Sequence, residues 1–523
     1  MKFYLAVAAL VAIASTLSSA MSITWTGYAG NNQFNTANNW YPNSVPGPND
    51  DVTIHNGTVQ CPQAVSINSL LMGDTLDAKA KVTAYNTFNV FQQLNCLQNG
   101  EFILPAGSSA LSGTISISGK LVFSSGSVSG SVTVSGDADL SGAAAKTISS
   151  GQLLLSGSSK IGGVISLAGT QPNLVITGIS KWTGVEFLVA PQTTGALFDT
   201  TKGSVELISD TSLQANGRFG TLSLDAGANL TLLSNVSFSN ALHIHNTSWV
   251  TTVGTAVTSI SIRGNGNFVS SSASTTFGAQ SFDGMIACVG VSCVFGGATS
   301  TVGNLVVGTG SVTVTQGTAF SASLISIQNG LFAVSGSVSV GQLNFLKAGQ
   351  LQGTTVKAKH LYVMTAETFT LNGGVAVSDS ANIALATINF GGMGMLSLGP
   401  NSVSQIGGAF TLNGAGNAAG FSNNGKITVS GPVASTNINI VGTGDWKLQS
   451  SLAVESAELS ANTIHLSAGQ SVQGSNSCVS IKTIAAGTIK AKIDAISFQC
   501  SGACTNINAG CSPMPTDSFS FSA

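Results

Sequence analysis

From about Gly107 onward, for roughly 400 residues, small polar and apolar residues alternate in short runs that stop at glycine, serine or asparagine. Thr114-Ile115-Ser116-Ile117-Ser118-Gly119 is followed by Leu121-Val122-Phe123-Ser124-Ser125-Gly126, and then by Ser131-Val132-Thr133-Val134-Ser135-Gly136. The same texture returns at Leu153-Leu154-Leu155-Ser156-Gly157, at Gly310 to Thr315 and at Phe332 to Gly341. A strand sends successive side chains to opposite faces, so this period of two specifies short strands with one buried and one wetted face. The helical period of 3.6 is almost absent, and only short segments such as Ser451 to Ala461 suggest a turn of helix.

Many short strands fit a sandwich, a propeller or a solenoid. Sandwich domains would break the pattern at about 100 residues, and a propeller would show a blade motif every ~40–45 residues. The chain shows neither a linker nor such a motif, which leaves an all-β fold with a single long parallel β-helix, or solenoid. At about 20–25 residues per coil and about 4.8 Å between strands, some twenty coils would make a rod of about 100 Å. The expected division is a targeting segment over 1–20, a cap with the first coils over 21–106, the solenoid body over 107–477, and a Cys-rich C-terminal cap and tail over 478–523.

Composition sets the surface. Charged residues are 7% of the chain and hydrophobic residues 43%, against about 25% charged in ordinary soluble proteins. A core is therefore affordable while the surface must be wetted by Ser, Thr, Asn, Gln and Gly. Arg218 and Arg263 are the two arginines and no basic run exists, which excludes nucleic-acid binding by a charged surface. A formal net charge of −2 leaves little repulsion between copies and suits self-association.

Lys2, the apolar run Phe3 to Leu17 and the small residues Ser18-Ser19-Ala20 have the form of a secretory signal. No later window is apolar for long enough to enter a membrane as a helix. The expected location is extracellular, in a wall, coat or matrix. The eight cysteines then favour disulfides, and pairing by proximity gives Cys61–Cys96, Cys288–Cys293, Cys478–Cys500 and Cys504–Cys511. N-glycosylation sequons begin at Asn56, Asn229, Asn235 and Asn246.

Near the N-terminus stand Trp25-Thr26-Gly27, Asn39-Trp40 and Val45-Pro46-Gly47-Pro48-Asn49-Asp50-Asp51-Val52-Thr53-Ile54. This segment, residues 23–54, resembles the lead-in of secreted parallel β-helix proteins, including bacterial adhesins and autotransporter-type passengers. The resemblance implies a solenoid architecture and names no activity. Physically, Pro46 and Pro48 cannot donate ladder hydrogen bonds and so blunt an edge. Asp50 and Asp51 are placed to accept backbone N–H bonds as the first strand begins.

Trp25, Tyr28, Trp40 and Tyr41 crowd together in a chain otherwise poor in Trp and Tyr. They read first as a cap over the first coil and second as a platform for stacking sugar rings. Trp182, Trp249 and Trp446 are scattered, and each reads as filling a wide spot in the core or lying against a coil. Phe519 and Phe521, in an alternating tail, read as a strand donated to another subunit, as a tail folded back on its own last coil, or as a disordered end.

Catalysis on polysaccharides would need a carboxylate pair at about 5–9.5 Å or a base beside clustered acids. Asp50-Asp51 lies in the cap, Asp137 and Asp139 have no basic residue nearby in sequence, and Glu455 and Glu458 are isolated. His243 and His245 would share one strand face with no third ligand in sight. The expectation is therefore no enzyme, no cofactor and no metal. It is instead an extracellular structural or assembly protein associating through its ends, with a carbohydrate-binding adhesin or lectin, using extracellular polysaccharide as partner, as the alternative.

Overall fold

A computed structural model describes residues 20–74, 78–107, 109–253, 257–271, 274–414, 419–455, 458–466, 471–475, 477–486, 488–500 and 518–522. The signal-like residues 1–19 and Cys504 and Cys511 lie outside the described residues. The chain forms two compact units, Met1–Thr255 and Ala256–Ala523. Each is a parallel β-solenoid, and the strands make about 19 turns in all.

The period of two becomes a coil in the same way throughout. In the N-terminal unit, Lys120–Phe123 lies parallel beside Asp137–Leu140, and Gly126–Val134 beside Lys146–Leu155. Leu121, Phe123, Val128, Val132 and Val134 point inward and are buried, while the residues between them face out. Each inward residue stacks on its counterpart one coil away. That step is 17 residues from Leu121 to Ala138 and 24 from Leu174 to Phe198, so many coils are shorter than expected. Gly130 turns the corner within its strand at φ +89° and is in register with Gly113 and Gly151. A Cβ there would run into the Gly113 carbonyl oxygen, so only glycine lets successive corners approach to strand spacing.

The inward ladders are aromatic in places. Trp182, Phe187, Phe198, Phe219 and Phe238 form a continuous run with successive ring centroids 4.9–5.3 Å apart. Phe268, Phe277, Phe295 and Phe320 do the same in the C-terminal unit at 4.6–5.5 Å. Phe219 on Phe238 and Phe277 on Phe295 stack from one coil to the next, while Trp182, Phe187 and Phe198 meet across the inside of a single coil.

Cys288 and Cys293 form the expected disulfide, with Cα atoms 6.2 Å apart. Both are buried, and they staple the tight connection between strands Gln280–Cys288 and Ser292–Phe295. The expected Cys61–Cys96 bridge is absent, and both are buried free thiols. Cys61 stacks on Ala84, whereas Cys96 stacks on Met72 and Ile117 in a different ladder. Proximity in sequence does not bring together residues on different faces of a coil. Burial raises both thiols, Cys96 to about 12 and Cys61 further. Cys478 and Cys500 fall on the last parallel strands, Ser477–Ala486 and Thr488–Cys500.

The helical turn expected near Ser451 is also absent. Leu452–Glu455 and Glu458–Leu466 are strands that continue the parallel ladder. Neighbouring coils supply the strand pairing, and that overrides local periodicity in so short a segment.

Antiparallel pairing among the described residues occurs near the two ends of the chain. Ser22–Trp25 pairs antiparallel with Trp40–Tyr41 on one side and parallel with Asp51–Ile54 on the other. At the other end Ser518–Ser522 returns antiparallel along Thr488–Cys500, Phe519 opposite Ala491 and Phe521 opposite Ile489. The tail thus folds back on its own last coil.

Candidate functional site

The N-terminal aromatic group separates into two halves. Trp25 and Trp40 are 7% and 1% exposed and meet edge to face at 4.9 Å. Phe34 packs on Trp40 at 5.0 Å, and the Trp40 indole N–H donates to the Phe34 carbonyl at 2.6 Å. Asn39, fully buried beside them, donates to Asn31 Oδ1 at 2.6 Å and to the Gln33 carbonyl at 3.0 Å. This is a closed, hydrogen-bonded plug on the first coil. Tyr28 and Tyr41 are 90% and 73% exposed and take no part in it. Asp50 behaves as expected, accepting from the Met21 and Gly47 backbone N–H groups at 3.2 and 2.8 Å. Asp51 instead accepts from the side chains of Asn68 and Ser69.

Charge is organised by register. Lys81, Glu101, Lys120 and Asp137 occupy one outward column, each in register with the next. Glu101 lies 3.3 Å from both Lys81 and Lys120. The column beside it carries Asp139, Lys160, Lys181 and Glu206, and Lys181 reaches Glu206 at 3.0 Å. The expectation that Asp137 and Asp139 lack basic neighbours is therefore overturned. Their partners lie one coil away, 17 and 21 residues along the chain. Burial tends to raise the Asp139 carboxyl, but hydrogen bonds from Ser141 with the charges of Lys120 and Lys160 outweigh it and hold the group below its usual value.

Lys146 was not distinguished by the sequence reading. It stands at an inward position, two residues before buried Ile148, and its side chain is fully buried. Its ammonium donates to the carbonyls of Gly142, Ala144 and Gly162, the last two at 3.0 and 2.8 Å. Three donors thus meet three acceptors and fix the loop before its strand. Burial pulls this ammonium down to about 8, against the opposing pull of Asp139. The parity of the Lys146-Thr147-Ile148 pattern was the signal that could have found it.

The sequon asparagines differ. Asn56, Asn235 and Asn246 are exposed. Asn229 is half-buried, and its side-chain amide donates to Asp210 Oδ1 at 2.9 Å while its carbonyl accepts from the Trp249 backbone N–H at 3.2 Å. His243 and His245 flank buried Ile244 on the outward side, the first in register with Ser223. Among the described residues no group of three or more His, Cys, Asp or Glu is placed to hold a metal ion, and no helix is long and apolar enough to cross a membrane. Trp182 and Trp446 are buried core residues, and Trp249 is partly exposed.

Openings among the described residues include the following. One of about 450 Å³ is floored by Gly310, Gly330 and Gly349, and one of about 320 Å³ lies beside Glu186, Asp210 and Asn229. A third, of about 470 Å³, has Lys357 and Lys359 on its rim. No protein-family model, no curated protein and no solved structure matches this chain.

Proposed function

We propose that this chain is a structural, assembly-forming protein of an extracellular layer such as a wall, coat or matrix. The observation that carries the reading is the surface. Coil after coil presents small hydroxyl and amide side chains in register, in columns that suit lateral packing or contact along a polymer. Burial of the two cap tryptophans removes the strongest sugar-stacking platform the sequence offered. The Cys288–Cys293 bridge supports an oxidising compartment, and exposed Asn56, Asn235 and Asn246 suit glycan attachment.

Association through the ends loses support because the first strand and the last coil are each covered by an antiparallel strand of the same chain. The faces therefore make the contacts. Fractionation of producing cells tests this: the protein is expected in the insoluble extracellular residue, released by chaotrope. Recovery entirely as soluble protein in the medium would overturn the reading, as would turnover of a polyuronate by the purified chain. The second reading, carbohydrate binding, draws on the lysine-rimmed depression of the C-terminal unit.

A further inference from the structure

Lys357 and Lys359 project outward from one strand, Gln350–Val363, on either side of buried Ala358. Lys357 stands in register between Ser339 and Ala376, neither of them acidic. Among the described residues neither lysine joins a salt bridge, unlike Lys81, Lys120 and Lys181. The carboxylate nearest in sequence, Glu367, accepts from the Ala348 backbone N–H at 2.8 Å. Asp379, in the bulge of the next coil opposite Lys359, accepts from Ser378 Oγ at 2.6 Å. Around the two ammonium groups opens the depression of about 470 Å³, lined also by Ser339, Ser378, Ser397 and Gly399. Val340, Ala358 and Val377 give it an apolar floor, and the serine hydroxyls lie at its border with the two lysines.

The depression interrupts a longer column. Thr301, Ser321, Ser339, Lys357, Ala376 and Ser397 follow one another in register, one per coil. Ser321 Oγ donates to Thr301 Oγ1 at 3.2 Å, so these hydroxyls are aligned along the column. Neighbouring coils are about 4.8 Å apart, close to the length of one pyranose ring in an extended glycan.

We infer that this face binds an acidic polysaccharide lying along the column, with Lys357 and Lys359 holding one of its carboxylate or sulfate groups in the depression. The flanking hydroxyls hydrogen-bond to neighbouring sugars. Two lysines flanked by hydroxyls suit a chain with spaced anions. A nucleic acid would call for a continuous basic row and stacking aromatics. This deepens the carbohydrate-binding reading and does not depend on the assembly reading.

The test is affinity electrophoresis of the full chain through gels containing polygalacturonate, with dextran sulfate, neutral dextran and single-stranded DNA run in parallel. Polygalacturonate or dextran sulfate is expected to retard the protein, and which retards more identifies the anion. Added salt should weaken the effect. Lys357→Gln with Lys359→Gln should lower affinity about tenfold, since charge-assisted hydrogen bonds to the anion are lost. The charge-matched control Lys81→Gln with Lys120→Gln should leave it unchanged. Absence of retardation by both acidic glycans would overturn the inference, as would an unaffected Lys357/Lys359 variant or an equal loss in the control. Equal retardation by neutral dextran or by DNA would also overturn it. Fractionation of the Lys357/Lys359 variant reports on assembly separately, so each reading can fail alone.

Discussion

In the N-terminal unit Glu101 lies between Lys81 and Lys120 and Glu206 holds Lys181, so most of the charge on that face is spent within the protein. In the C-terminal unit Lys357 stands in a column of serine, threonine and alanine with no acidic rung, and Lys359 faces the Ser378–Asp379 bulge of the next coil but, among the described residues, joins no salt bridge. Both surfaces are built by the same device, parallel register, which turns a sequence spacing of 17–21 residues into direct contact. The difference teaches that charge content says little in such a fold until register assigns neighbours. A stacked pair of opposite charges is a seam, and a lysine stacked between uncharged rungs is an open site.

The comparison extends to the cores, where substitutions should give the largest effects. Trp40→Ala should cost about 4 kcal/mol, because it opens a cavity in the plug and strands the Phe34 carbonyl. Tyr28→Ala and Tyr41→Ala should leave the melting curve of the protein unchanged. An unaffected melt for Trp40→Ala would remove the cap from this account.

Lys146→Met comes next. Three orphaned carbonyls, at about 1–3 kcal/mol each, outweigh the roughly 3 kcal/mol of ammonium desolvation that the substitution relieves, for a net loss of about 2 kcal/mol at pH 7. The pH dependence follows from the direction of the shift. The folded value is near 8 and the usual one 10.5, so between them the unfolded chain binds the proton more tightly and stability rises with pH. Denaturant melts across that window should show wild type gaining on Lys146→Met. Taking the difference between the two proteins cancels the titration of Cys61 and Cys96. A difference independent of pH would contradict the burial of this charge.

Trp446→Phe should be neutral or stabilising by up to about 1 kcal/mol. The Trp446 indole N–H is buried and has no hydrogen-bond partner among the described residues, in contrast to that of Trp40. A loss as large as that of Trp40→Ala would mean the indole is satisfied. The smallest effect is expected at the surface seam. Glu101→Gln should cost less than about 1 kcal/mol, since all three side chains remain partly exposed. The loss should shrink further in high salt.

Much of the fold was legible in the sequence. The alternation Thr114 to Gly136 specified strands, and the monotony of the pattern specified stacking over sandwiching. The close spacing of Cys288 and Cys293 was enough to pair them, because a short connection leaves both on adjoining strands. Cys61 and Cys96 defeated the same reasoning, since position around the coil cannot be read from separation along the chain. For the same reason Asp137 and Asp139 appeared isolated when their partners were one coil away. Trp25 and Trp40 were identified as a group and Asn39 stood in the same motif, but whether the faces were open or closed depended on Phe34, which nothing in the pattern marked, and on the burial of Asn39. The site at Lys357 and Lys359 was invisible for the opposite reason. Its distinguishing feature is what register fails to place beside it.

The proposed assembly would form through the hydroxyl and amide columns that repeat from coil to coil. Negative-stain electron microscopy of the purified, oxidised chain at increasing concentration tests that most directly. Laterally ordered arrays or bundles that persist when the Ser518–Ser522 tail is deleted are the predicted result. Particles that stay monodisperse at every concentration would contradict it, as would arrays that vanish with the tail.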